Sequence, residues 1–339
     1  MTFIPSYIDV LASGQFEERL RMADEIIKSC TSCPRNCLVD RTNAELGTCQ
    51  SRDLPIISSY TPHFGEEPVL SGTRGAGNIF FGNCNLRCDY CQNFVISQNP
   101  KAEILNEVSV ERLSEIMIEL QHKNCHNIGL VSPTHFAVPI LKSIKLAAEK
   151  GLMLPVIYNT NGYDSVEVLK LYNDVINIYL PDFKYGDNIN GRRYSKVDDY
   201  FDKCKLAIKE MYDQVGSELV YENGVVVRGL IIRHLVLPNG IAESEEVIKF
   251  ISRELSPEVH LSVMSQYYPT NRAEKNILLN RNITHTEYIR VTELLEKYGL
   301  ENGWIQEIES NGYYRPDFDE DREDPFRNEK LFNIIQTGF

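Results

Sequence analysis

No run of lysine and arginine stands out in this 339-residue chain, where 35 basic residues face 48 acidic ones for a net charge of −13. Proteins that bind nucleic acid carry a basic patch or stripe, so no nucleic acid is expected as a partner. Long hydrophobic runs are missing too. The most apolar stretch, "GVVVRGLIIRHLVLP", holds two arginines and is too short to span a bilayer, so no membrane partner is expected. The opening "MTFIPSYIDVLASGQFEERL" has no basic region ahead of an apolar core, which excludes a readable secretory signal. There is no internal repeat and no low-complexity linker. The expected location is cytoplasmic.

Apolar content is sufficient, at 42%, for a sizeable core, and the length suits one α/β barrel with an extra module. Nine cysteines are present. In a reducing compartment they stay thiols, and clustered thiols read as metal ligands before disulfides.

Phe16, Leu20, Ala23 and Ile27 recur at helical spacing over 14–29. Residues 30–77 are punctuated by Cys, Pro and Gly, as in a small module shaped by something other than a hydrophobic core. From 78 onward short apolar runs alternate with amphipathic stretches. The runs "NIFFGN" (78–83), "NIGLVSP" (127–133), "MLPVIYN" (153–159), "VINIYLPD" (175–182), "GLIIRHLVLP" (229–238) and "VHLSVMSQY" (259–267) read as strands. Helices are expected near 107–122, 136–150, 164–172, 195–215, 242–254 and 284–299. Continuous apolar strands alternating with helices imply a parallel sheet buried on both faces. The expected class is α/β, a partial (β/α)6 barrel, with a doubly wound open sheet as the alternative. The expected domains are a cysteine-rich metal module at 1–77, the barrel at 78–310 and a tail at 311–339. Within the tail, "DFDEDRED" (317–324) reads as a solvated or disordered face, although Tyr313, Tyr314, Phe318 and Phe326 leave room for a docked lid.

The densest motif is "GNCNLRCDYCQN", which places Cys84, Cys88 and Cys91 in a C-x3-C-x2-C spacing directly after the first expected barrel strand. Ligands of α/β sheets bind at the carboxyl ends of strands. Soft thiolates favour iron–sulfur clusters or zinc. Three ligands leave one iron of a cube free to bind a small molecule. The competing reading is a zinc knuckle with a fourth ligand such as Cys125. That residue precedes the second strand, at the opposite end of the barrel. Cys204 shares a helical stripe with Tyr200, Phe201, Ile208 and Met211 and reads as a core thiol.

This spacing, with the aromatic Tyr90 before its last cysteine, resembles the radical S-adenosylmethionine (radical SAM) enzymes. "YNTNGYD" and "YLPDFKYGD" resemble the Thr-Asn-Gly and Asp-x-Lys elements of the pyruvate formate-lyase activating-enzyme branch. "CPRNC", "GEEP" and "CQN" together resemble its PflX-type iron–sulfur proteins, over about residues 30–300. The resemblance implies a [4Fe-4S] cluster on Cys84, Cys88 and Cys91, with S-adenosylmethionine chelating the open iron. It also implies an electron donor such as flavodoxin or ferredoxin, cofactor cleavage to a 5′-deoxyadenosyl radical, and hydrogen abstraction from a protein, peptide or other substrate. Cofactor contacts are expected from Tyr90, Asn159, Asn161, Asp182, Lys184 and Arg233. Where the superfamily carries a Gly-Gly-Glu motif this chain has "VSPTH", so Ser132 and Thr134 are the candidates for holding the amino group. Asp182 and Lys184, two apart on a strand, share a face. Arg233 and His234 are adjacent, so only one of them faces inward.

Cys30, Cys33, Cys37 and Cys49 form a second group, able to close a zinc site or bind another cluster. In "GEEP", Glu66 and Glu67 are consecutive and point apart, so they read as one surface and one structural carboxylate. Two non-catalytic readings compete with the enzyme: an iron–sulfur electron-transfer protein and a zinc-stabilised binding module.

Overall fold

The computed structural model describes residues 3–308, 316–326 and 337–338. Strands β1 (Ile57–His63), β2 (Ala76–Phe81), β3 (Ile128–Val131), β4 (Val156–Thr160), β5 (Ile178–Pro181), β6 (Val220–Glu222), β7 (Val225–Leu235), β8 (His260–Met264), β9 (Gly303–Ile305) and β10 (Thr337–Gly338) form one sheet. Its order is β1-β2-β3-β4-β5-β7-β8-β9-β10, with β6 hairpinned onto β7. All pairings from β2 to β9 along that path are parallel, while β1 on β2 and β10 on β9 are antiparallel. The two terminal strands of this order do not pair, so the sheet is an open, partial barrel.

Each of the six expected barrel strands is present, and a seventh parallel strand, β9, follows them. Every residue of β2, β4 and β5 is buried, as continuous apolar runs require. The crossover helices Val110–His122, Ala137–Glu149, Val166–Leu171, Tyr200–Val215, Ser244–Phe250 and His285–Tyr298 lie in the six expected places. The helix Gln15–Lys28 buries Phe16, Ala23 and Ile27 in the main core and packs on Ala137–Glu149. The division expected at residue 77 falls inside β2, with which β1 pairs and so extends the barrel's own sheet.

The tail differs from its solvated reading over 316–326. Phe318 is buried and meets Phe80 at a centroid distance of 5.4 Å, and Phe326 lies 4.1 Å from the His63 ring. Arg322 Nη2 donates to the buried Glu103 at 2.8 Å. The aromatic side chains dock against β1 and β2, while Asp319, Glu320 and Glu323 remain exposed. Tyr313 and Tyr314 lie outside the described residues.

Gly162 ends the turn after β4 with φ +80°, and a Cβ there would sit 2.6 Å from both the Asp182 carbonyl oxygen and Cys204 Sγ. Left-handed backbone and overpacking each cost about 1–3 kcal/mol. Gly162→Ala is therefore expected to lower unfolding free energy by about 2–4 kcal/mol in anaerobic urea titrations.

Candidate active site

After β2 the chain turns at Asn83, in the left-handed region at φ 64°, and enters the three-cysteine loop. The loop is gripped from two sides. Arg87 N and Asp89 N donate to the carbonyls of Ser195 and Tyr194, and the Asp89 carboxylate pairs with Lys196 at 2.9 Å and Arg272 at 2.7 Å. Gln98 and Asn271 side-chain amides both donate to the Cys88 carbonyl.

Each thiol has a partner able to donate to sulfur. Cys84 Sγ lies 3.4 Å from Leu86 N and 3.4 Å from Asn161 Nδ2. Cys88 Sγ is 3.0 Å from Ser195 Oγ, and Cys91 Sγ is 3.2 Å from Ser97 Oγ. A thiolate can only accept, so a metal-bound form would take all of these as donors. Burial pushes the Cys91 thiol up to about 12 and raises Cys84 and Cys88 as well. Metal must therefore displace protons from these groups, which links metal loading to pH.

The three cysteines share one cavity of ≈ 220 Å³ at the carboxyl ends of the parallel strands. Tyr90, Ser132, Asn159, Asn161, Asp182, Lys184 and Arg233 line the same cavity. Thr134 does not: it is buried behind the wall, where its hydroxyl bonds Asp164 at 2.7 Å and Thr160 at 3.1 Å. Tyr90 is buried edge-on against Tyr185 and Tyr267.

Four charges converge on one wall. Arg233 donates to Asp182 at 2.8 Å, Glu66 at 3.1 Å and Asn159 at 2.7 Å, and Lys184 Nζ meets Asp182 at 2.6 Å. Asp182, Lys184 and Arg233 side chains are 15–20% exposed, so some contact with water remains. Burial pushes the Asp182 carboxyl up, but Arg233 and Lys184 outweigh it and hold it below the usual range. The surface role expected for one residue of "GEEP" is corrected here. Glu66 is 9% exposed and lines the cavity, and Glu67 is buried with its carboxyl raised by that burial. Bends at Phe64 and Glu66, ahead of the helical segment Pro68–Ser71 that Glu67 caps, carry both inward. His63, Gln92 and Gln266 also line the cavity and were not singled out from sequence. Their only sequence cue is position, since Gln92 lies at the end of the three-cysteine motif and Gln266 near the end of the sixth expected strand.

Arg233 takes the cavity and His234 the opposite face, fully buried between the Phe183 carbonyl and Ser244 Oγ. Burial lowers the His234 pKa to about 4. Between that value and the unfolded ~6.5, only the unfolded chain binds the proton. Stability is full above about pH 6.5 and declines as pH falls towards 4, by about 3 kcal/mol in total. Calorimetry from pH 7.5 to 5 is expected to show most of this loss, and His234→Gln to reduce it without abolishing it, because burial lowers His135 and His63 as well.

Among the N-terminal cysteines, Cys30, Cys33 and Cys49 are buried and Cys37 partly so; all nine cysteines are free thiols. The four surround a second, much smaller void that Arg35, Arg41, Asn85 and His135 also line. Cys125 and Cys204 are both buried in the core, away from either group.

A partial α/β barrel with one polar cavity at its strand ends is the class of protein that the fold defines. Residues 78–230 match the radical SAM superfamily. The chain is 34% identical over 289 residues to the uncharacterized protein MJ0674 of Methanocaldococcus jannaschii, covering 84% of this chain and 79% of that one. It is 27% identical over 279 residues to MJ0808 of the same organism, covering 76% and 75%. Among solved structures it is similar to methylornithine synthase, at 17% identity and a TM-score of 0.44, over 66% of this chain and 62% of that one. This chain carries a radical SAM superfamily domain.

Proposed function

We propose that Cys84, Cys88 and Cys91 hold a [4Fe-4S] cluster whose fourth iron takes S-adenosylmethionine, and that the protein is a hydrogen-abstracting radical enzyme. The observation that carries this reading is the convergence of the three thiols and the Asp182–Lys184–Arg233–Glu66 network on one cavity. The donor set fits the group: three soft ligands, each with a hydrogen-bond donor at sulfur, around a space wider than one ion needs. When bound, cluster and cofactor together supply one-electron cleavage of the sulfonium and a carbon radical able to abstract hydrogen.

The chain's own residues bind and orient. Asn161 and the Ser195 and Ser97 hydroxyls donate to the cysteine sulfurs and stabilise their anionic form. With the cofactor bound, Lys184 would be the cation for its methionyl carboxylate and Asp182 an acceptor for a ribose hydroxyl. Asn159 and Arg233, which hold each other and Asp182 in place, would position that wall, and Ser132 would offer an acceptor to the amino group. Tyr90 and Leu86 form the apolar wall that excludes water.

The Thr-Asn-Gly and Asp-x-Lys turns support an activating-enzyme-like reaction on a peptide or protein group. Pro316 and Phe326 of the docked tail stand at the cavity wall such a group would approach. Flavodoxin or ferredoxin is the proposed electron donor. We place the protein in the cytoplasm, the reducing compartment in which clustered cysteines serve as metal ligands rather than disulfides. We also read the N-terminal cysteines as a second metal site. Anaerobic incubation of the reconstituted, reduced protein with S-adenosylmethionine is expected to yield methionine and 5′-deoxyadenosine. Intact cofactor beside a fully loaded, reduced cluster would overturn the assignment.

A further inference from the structure

Cys30, Cys33, Cys37 and Cys49 lie on one looped segment. Leu38 N donates to the Cys30 carbonyl at 3.1 Å, Cys30 N to the Val39 carbonyl at 2.9 Å and Asn36 N to the Cys33 carbonyl at 3.1 Å. Asn36 and Leu38 both adopt left-handed backbone, at φ 44° and 58°. Non-glycine residues rarely do so without surroundings that hold them there. The Cys33 sulfur accepts from the backbone N–H of Arg35, two residues on, as the Cys84 sulfur does from that of Leu86. Cys30, Cys37 and Cys49 all lie close enough to Cys33 for charge on them to act on it. Gly47 brings the returning chain so close to Cys37 that a Cβ would lie 3.0 Å from its sulfur.

Size decides what these four thiols can enclose. The void that all four line is ≈ 10 Å³, about the room that one water or one small ion takes. The cavity of Cys84, Cys88 and Cys91 is ≈ 220 Å³. A cluster brings several irons and sulfides into its site, and the smaller void has no room for them. A single ion asks only that four sulfurs stand about 2.3 Å from one centre. Among the described residues no three ligand side chains stand at that geometry, either here or at Cys84, Cys88 and Cys91. Loading therefore draws the sulfurs inward, which rotation about χ1 allows without moving the backbone.

Charge supplies a second, independent observation, which bears on the sign of the occupied site and not on its size. Arg41 is 1% exposed and lines this void. Its Nη atoms donate to the His135 and Arg52 carbonyls, and its Nε has no partner among the described residues. A buried guanidinium without a carboxylate is costly unless another anion balances it. Four cysteinates around one divalent ion keep a net negative charge and are such an anion. Tetrahedral thiolate sites suit zinc, which binds more tightly than ferrous iron to a given set of ligands. Four protein ligands also leave the ion no open position, the mark of a structural site.

We propose that Cys30, Cys33, Cys37 and Cys49 close around a single zinc ion, which rests on the metal-binding reading of this loop given above. Binding releases the thiol protons to solvent and involves no electron transfer. The site braces the three-cysteine loop. Arg35 Nε donates to the Asn85 carbonyl at 2.5 Å, and Arg87 Nη2 donates to the Thr48 carbonyl at 2.7 Å. Asn85 lines the void, while its side-chain oxygen accepts from Asn161 at 2.7 Å and stands 3.6 Å from Cys84 Sγ. Asn85 is thus the wall between the two cysteine groups.

The test is zinc and iron per chain in the full protein, produced with both metals in the medium and purified anaerobically. It compares wild type with the triple alanine variant at Cys84, Cys88 and Cys91, and zinc-edge X-ray absorption on wild type reads the ligands without any variant. The expected result is about one zinc per chain in both proteins, four sulfurs at about 2.3 Å around it, and iron in wild type alone. About four irons and no zinc in the triple variant would replace the ion by a cluster. One iron in place of zinc would overturn the choice of metal. A shell of three sulfurs and one nitrogen would overturn the four-cysteine ligand set. It would bring in His135, which lines the void with an Nδ1 that has no partner among the described residues. A folded triple variant holding no metal would overturn the metal-binding reading itself. Zinc on four sulfurs, with iron surviving in the triple variant, would keep this proposal and sink the assignment of the first cluster to its loop.

Discussion

Cys88→Ala is expected to reduce S-adenosylmethionine cleavage to the level of buffer and reductant alone. Removing one of three protein ligands leaves two irons without protein sulfur, so the cube loses its hold on the loop. The fold should survive, because Cys88 lines the cavity and the substitution removes a single sulfur atom facing it. Ser195→Ala provides the graded comparison. It removes the hydroxyl 3.0 Å from Cys88 Sγ while leaving all three ligands. The cluster should load fully, with an altered reduction potential, because hydrogen bonds to sulfur tune that potential. Visible absorbance and iron content separate the two outcomes: lost cluster in the first variant, retained cluster in the second.

Arg233→Met is expected to cost about 3–5 kcal/mol of stability, since deleting one member of a buried ionic network strands the others. The stranded groups are Asp182 and Glu66, both of which Arg233 now neutralises. Lys184 still reaches Asp182, and partial exposure of the network tempers the loss towards the lower figure. Without Arg233 only Lys184 opposes the upward push of burial on the Asp182 carboxyl, so its pKa rises. Protonation then relieves the variant, so its deficit should shrink as pH falls towards 5. Arg233→Lys keeps the charge but not the three-way geometry, and should lose less stability while still weakening cofactor binding. Anaerobic denaturant titrations at pH 7.5 and 5.5 measure both effects.

The six barrel strands and their helices were legible because a period near 3.6 alternated with continuous apolar runs, and those patterns follow directly from burial. β1 was not. "ISSYTPH" mixes serine, proline and histidine, as an antiparallel edge strand can, and so carries no apolar run. β9 is only three residues long and falls below any periodic signal. The β6–β7 hairpin had a readable cue that went unused: Asn223-Gly224 adopts positive φ at both positions, as a type I′ turn requires.

The cavity wall was legible where strand ends carried polar residues two apart, as at Asp182 and Lys184. Glu66 was missed because its approach depends on a turn that brings residues 63–67 across the sheet to Arg233, a contact 167 residues away in sequence. Thr134 was placed at the cavity by its neighbour Ser132. The short helical turn Thr134–Phe136 rotates it inward to Asp164 instead. The tail misled for a related reason. Its six acids dominate the composition, whereas Phe318 and Phe326 decide where it packs.

Electron paramagnetic resonance of the reduced, reconstituted protein, recorded with and without S-adenosylmethionine, tests the central claim most directly. If the open iron of the Cys84–Cys88–Cys91 cluster takes the cofactor, one cluster signal will change shape on addition. That change will be absent from the triple alanine variant. An unchanged wild-type spectrum from a fully loaded cluster, with the cofactor in excess, would contradict the account.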